Sequence, residues 1–211
     1  MSFQEEIMKK TLIRMTLILW LIFPVTALAG LPLDTVKGYS DKVLEVLRDP
    51  SLKPESAKKL RKDKLRAISE KMFDFTELSK RTLAQNWKNL NPGQQQEFVS
   101  LYTSLLEDTY ADKILSYTDE KIVFSKEVAL TEKTVEVQST VLRKTAEIPI
   151  YYRVMLKDGV WRVYDVVVEG ISLTNNYRTQ FREILSNKPP ESLLETLRKK
   201  VVKSEPGPKK Q

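Results

Sequence analysis

The chain has 211 residues, with 35 Lys and Arg against 28 Asp and Glu for a net charge of +7, and it contains neither histidine nor cysteine. Those two absences exclude His general-base catalysis, Ser-His-Asp triads, thiol nucleophiles, disulfides and zinc sites built from imidazole or thiolate. The six glycines all stand singly, and no phosphate loop, EF-hand loop or dinucleotide fingerprint occurs.

Lys9, Lys10 and Arg14 precede an apolar run from Met15 to Val25, and Ala27-Leu28-Ala29 supplies the small residues of a cleavage site. This is the pattern of a secretory signal peptide over residues 1–29. The run is too short to span about 30 Å of hydrocarbon, and Pro24 interrupts it. Cleavage after Ala29 predicts a mature chain of 182 residues carrying 32 basic and 26 acidic side chains, with no cysteine to lipidate. An exported domain without disulfides must rely on its core, which a chain of this size can supply. Export also argues against nucleic acid as the partner of the basic excess.

Helical spacing comes first. Asp34 or Thr35 can cap a helix with Val36, Tyr39, Val43, Val46 and Leu47 on one stripe, and Pro50 stops it. A charged helical region follows over about 54–72. Asp74 then starts a third helix, with Glu77 placed for a capping box and Phe73 and Leu78 for a hydrophobic staple, ending near Lys88. Asn91, Pro92 and Gln94 open the longest helix, whose apolar stripe holds Phe98, Leu101, Tyr102, Leu105 and Tyr110.

Beyond Asp119 the period changes to two. Ile122, Phe124 and Val128 alternate with polar neighbours, as do Val135, Val137 and Val141, and then Ile148, Ile150, Tyr152, Val154 and Leu156. Asp158-Gly159 signals a two-residue type I′ hairpin. That turn predicts Leu156 opposite Trp161, Val154 opposite Val163, Tyr152 opposite Asp165 and Ile150 opposite Val167. After Gly170, Asn175 and Asn176 offer N-caps for a helix bearing Tyr177, Phe181 and Ile184. Arg198, Lys199, Lys200, Lys203, Lys209 and Lys210 cluster toward the end, beside Pro206, Gly207 and Pro208. The expectation is one α+β domain over residues 30–202, a four-stranded antiparallel meander with helices packed on one face, and a basic disordered tail over residues 203–211.

Asp165 is expected on an otherwise apolar sheet face. It is either a carboxyl acid or a carboxylate hydrogen-bonded to Tyr152 or to a backbone amide. The apolar sheet face and helix stripe likewise fit either a filled core or one with a ligand slot left in it.

The last strand and helix settle on one family. Trp161, Asp165-Val166, Glu169-Gly170-Ile171-Ser172, Asn176-Tyr177-Arg178 and Gln180-Phe181, together with Phe73-Asp74-Phe75 through Trp87 to Tyr110, resemble the phospholipid-binding MlaC family of the Mla (maintenance of lipid asymmetry) pathway, also called the toluene-tolerance family. The likeness spans most of residues 31–195. It implies a soluble periplasmic phospholipid carrier, not an enzyme, with no metal and no cofactor beyond the bound lipid. It also implies that lipid is shuttled between an outer-membrane lipoprotein complex and an inner-membrane ABC transporter complex. Phe98, Leu101, Tyr102, Leu105, Ile150, Tyr152, Val154, Val163 and Val167 are then the expected tail-contacting walls. Tyr177, Arg178 and Phe181 form the expected mouth, with Arg178 near the phosphate. The alternative is an exported adaptor or assembly protein with a filled core that acts through surface contacts.

The physics of a carrier suits such a chain. Two acyl chains of roughly 15 CH₂ groups, at about 0.8 kcal/mol each, face on the order of 24 kcal/mol on entering water unaided. An apolar interior removes that penalty, and no catalytic residue is needed.

Overall fold

The computed structural model describes residues 31–117 and 120–204; the signal segment and residues 205–211 of the expected tail lie outside them. Four helices come first: α1 (Pro32–Arg48), α2 (Lys58–Met72), α3 (Phe75–Leu83) and α4 (Pro92–Leu115). An antiparallel sheet follows in the spatial order β1 (Lys121–Thr131), β2 (Thr134–Leu142), β3 (Glu147–Lys157), β4 (Val160–Val168) and β5 (Ile171–Ser172). Helices α5 (Leu173–Leu185) and α6 (Pro190–Ser204) close the described chain. The α+β reading holds, with a fifth, two-residue strand added to the expected four.

Local signals explain several boundaries. Asn91 accepts from the Gln94 amide at 2.9 Å while the Gln94 side chain accepts from the Asn91 amide at 3.2 Å, a complete capping box with Pro92 at the first helical position. At α3 the Asp74 carboxylate caps the Glu77 amide at 2.9 Å, but Glu77 turns away to Arg81. Its reach back is not needed, because the Asp74 amide already donates to the Val163 carbonyl at 2.9 Å.

Helix α1 begins two residues before its expected caps. Pro32 occupies the first position, and the Leu33 amide donates to the Glu127 carboxylate on β1, so a residue 94 positions away meets an orphan N–H group. Helix α3 stops at Leu83, short of Lys88; Ala84 has φ +51° and a 3₁₀ turn carries the chain to Asn89. Helix α5 begins three residues before Asn176, because Ser172 and not an asparagine caps it, its hydroxyl accepting from the Asn175 amide at 3.2 Å. Helix α6 was not foreseen; it runs through Lys203 and Ser204, so the expected tail starts inside it.

The β3–β4 turn has positive φ at both Asp158 and Gly159, as type I′ requires. The register matches expectation only near that turn. Leu156 faces Trp161 and Val154 faces Val163, but Tyr164 is an extra residue on β4, so Arg153 pairs with Asp165, Tyr152 with Val166 and Ile150 with Val168. This bulge turns Asp165 and Val167 onto the opposite face from Val163. A shift between Phe124 and Lys126 does the same to Val128, which pairs with Glu136.

Two apolar cores result. The helical core holds Leu78, Leu83, Leu90, Phe98, Tyr102, Leu105, Leu106, Tyr177, Phe181, Leu193, Leu194 and Leu197, drawn chiefly from α3 to α6. The sheet core holds Val36 and Met72 over Val137, Val154 and Val163, so α1 and the end of α2 cover the apolar sheet face. Phe73, at the α2–α3 junction, packs against both and forms a parallel bridge with Val163 on the outer edge of β4.

Candidate functional site

An apolar sheet face lies beneath α1 and the end of α2. At its centre Val137, Val154 and Val163 are fully buried; around them Phe124, Val135, Tyr152, Trp161 and Val166 are only half-covered. Farther along the same face Ile150 is half-buried and its partner Val168 is 37% exposed. Helix α1 contributes Leu33, Val36 and Tyr39, and its buried Ser40 bonds the Tyr152 hydroxyl. Burial pushes that hydroxyl up to about 12, against the pull of Ser40, so Tyr152 stays neutral.

The expected wall residues divide between the two cores. Ile150, Tyr152, Val154 and Val163 share the sheet face under α1. Phe98, Tyr102 and Leu105 are buried in the helical core, with Leu101 packed at its edge. Val167 is buried on the far face of the sheet, beside Ser172 of β5.

The expected mouth residues are not brought to a mouth. Tyr177 and Phe181 are buried and meet Tyr102 edge to face at 5.2 and 5.3 Å. Burial pushes the Tyr102 hydroxyl upward, with Thr82 opposing it. Arg178 donates from Nε and Nη2 to the Arg81 carbonyl at 3.1 and 2.6 Å, which ties α5 to α3.

Asp165 has a structural arrangement around it. Its carboxylate accepts from the Ser172 hydroxyl at 2.7 Å, the Thr174 amide at 3.0 Å and the Arg153 guanidinium at 3.2 Å. Arg153 also reaches Glu136 at 3.1 Å. Tyr152 is not among these partners, because the bulge separates the two residues; the backbone-amide alternative is the one observed. The bulged Tyr164 ring lies under the Arg81 guanidinium at 3.8 Å.

An open cleft of about 420 Å³ lies where Phe73 meets the β3–β4 hairpin, lined by Glu70, Phe73, Asp74, Phe75, Lys157 and Arg162 among others. The Phe73 and Phe75 rings stack at 5.5 Å, and Lys157 pairs with Asp74 at 2.7 Å. A second cleft of about 300 Å³ lies between Trp87 and Gln95. Among the described residues no group of three or more carboxylates is arranged to hold a metal ion, and no helix is long and apolar enough to cross a membrane.

Sequence reasoning missed α6, although Leu193, Leu194, Leu197 and Val201 already show helical spacing after Pro190. It also read Arg198 as part of a basic tail. Arg198 instead clamps Glu97 of α4 at 2.6 Å and Glu191 at 2.7 Å, fixing α6 on α4.

Known proteins match this architecture. The chain is 26% identical over 172 residues to the toluene tolerance protein ttg2D of Pseudomonas putida, covering 80% of each. It is 24% identical over 119 residues to the intermembrane phospholipid transport system binding protein MlaC of Haemophilus influenzae, spanning 54% of this chain and 56% of that protein. The fold superposes with a TM-score of 0.73 on a phospholipid-binding protein from Ralstonia solanacearum solved in complex with a phospholipid, covering 83% of this chain and 99% of the other at 24% identity. That likeness establishes the fold alone. The family model described as MlaC protein matches residues 37–199, and the chain belongs to that family.

Proposed function

We propose that this chain is an exported, periplasmic phospholipid carrier whose acyl tails lie on the sheet face beneath α1 and α2. The observation that carries this reading is the family match over residues 37–199, and the uneven cover of that face supports it. Ile150, Tyr152, Val154 and Val163 contact the tails. Phe98, Leu101, Tyr102 and Leu105, with Tyr177 and Phe181, form a rigid block against which the tail-bearing layer parts, while Val167 and Arg178 hold the junction of β4, β5 and α5. The two clefts are too small for both tails, so uptake widens the seam that Phe73 spans. Lipid passes between an outer-membrane lipoprotein complex and an inner-membrane ABC transporter complex, and those partners set its direction. Residues 1–29 direct export and are removed.

The close packing of both cores favours a second reading, an exported adaptor with a filled interior that acts through its surface. Organic extraction of freshly purified protein, followed by mass spectrometry, separates the two. A carrier yields copurified phospholipid; lipid-free protein overturns the proposal. Val154→Trp should lower lipid content while costing about 1–3 kcal/mol of stability through overpacking. Unchanged lipid in a folded Val154→Trp protein would remove this face as the tail site.

A further inference from the structure

Helix α2 turns an unusual stripe inward. Arg61, Leu65, Ile68 and Met72 follow one another at i, i+4, i+7 and i+11; the first three are half-buried and Met72 is buried in the sheet core, whereas Lys59, Leu60, Asp63 and Lys64 face solvent. Three other cations of this helix are ion-paired, Lys58 with Glu55 at 3.3 Å, Lys62 with Asp112 at 3.7 Å and Arg66 with Glu107, while Lys59 and Lys64 are exposed. Among the described residues Arg61 has no such ion pair, and its Nε–H is buried without a hydrogen-bond partner. Ser79 Oγ is the one other buried side-chain polar atom in that condition among the described residues.

A guanidinium desolvated at one nitrogen and left unpaired is costly, and the geometry it presents suits a doubly accepting oxyanion. The distance along α2 gives the ligand its shape. Eleven positions separate Arg61 from Met72, about 16 Å at 1.5 Å per residue. Half of a bilayer's hydrocarbon core, the depth of one layer of acyl chains, is about 15 Å. A lipid whose tail ends lie against Met72, Val137 and Val154 therefore brings its phosphate level with Arg61. Resting on the carrier reading above, we infer that Arg61 binds the phosphate of the carried phospholipid and fixes the headgroup end of the slot.

Full-length protein purified with its lipid tests this by transfer to acceptor vesicles of phosphatidylethanolamine and phosphatidylglycerol, and by the ³¹P resonance of the bound lipid. Arg61→Gln should release lipid about tenfold faster and move that resonance, since a charge-assisted hydrogen bond is lost. Arg61→Lys keeps the charge without the fork and should fall between Arg61→Gln and the unmodified protein. Lys59→Gln removes an equal charge from the exposed face and should behave as the unmodified protein does. Identical release and resonance in Arg61→Gln overturn the inference, as does an equal acceleration by Lys59→Gln, which would reduce the effect to long-range charge. An Arg61-dependent response of delipidated protein to inorganic phosphate, with lipid release unmoved by the substitution, assigns the site to free phosphate and also overturns it. Unmodified protein that carries no phospholipid at all brings down the carrier reading instead.

Discussion

Around Tyr102, Phe98, Tyr177 and Phe181 meet at centroid distances of 5.2 to 5.7 Å, and leucines from α3, α4 and α6 close the space between them. Beneath α1 and the end of α2, where Met72 lies, the sheet presents valines and a rim of half-covered aromatics. Large rings locked edge to face have few alternative packings, whereas a layer of small β-branched side chains under α1 and the end of α2 has less interlocked surface to lose when those helices shift. The contrast assigns stability to the helical block and adaptability to the sheet layer, which is the division that a carrier of flexible tails needs.

The comparison is broken or sharpened most strongly by truncation in each core. Phe98→Ala should cost about 3–5 kcal/mol, and Val154→Ala about 2 kcal/mol, in urea unfolding of delipidated protein. Bound lipid should reduce the second loss and leave the first unchanged; an equal lipid effect on both would merge the two regions. Asp165→Ala comes next, at about 3 kcal/mol, because it leaves the buried Thr174 amide without its acceptor and removes one of the two carboxylates that Arg153 meets. Its urea midpoint should fall while purified protein keeps its lipid, since the carboxylate joins β4 to α5 and lies off the face proposed to hold the tails.

Acid supplies the smallest effect. Burial raises the Asp74 carboxyl, but Lys157 and the Glu77 amide outweigh it and hold it below its usual range. A depressed carboxylate stabilises the fold at pH values above its unfolded pKa, and that contribution fades as pH falls through the folded value, below about pH 4. Asp74→Asn should flatten thermal stability measured across that range. A decline that persists unchanged in Asp74→Asn would assign the acid sensitivity to other carboxylates.

What could be read from the chain depended on the range of the interaction. The capping box at Asn91 and the hairpin at Asp158-Gly159 are written within four residues and were legible. The start of α1 was not, because its Leu33 N–H is answered by Glu127 of strand β1. The pairing of Val154 with Val163 followed from the turn, but the bulge at Tyr164 did not, since the alternation Val163, Asp165, Val167 reads the same with or without it. That single extra residue explains why Asp165 and Val167 were assigned to the tail-bearing face. The burial of Tyr177 and Phe181 in the helical core was hidden for a related reason: they show an apolar stripe, and a stripe does not say whether another helix or a ligand covers it. Helix α6, masked by its lysines, is the helix that covers α4.

Among the described residues, strand β1 has no further strand beside it on one flank of the sheet. Phe73, Asp74 and β5 close the opposite flank, so any unwanted pairing with another chain would start here. Two register shifts distort its eleven residues, and Lys121, Lys126 and Glu127 lie along it. Those kinks and charges deny an incoming strand a flat ladder to extend. Even with its layers parted, as the carrier reading requires, the sheet would offer no seed for fibres along this strand.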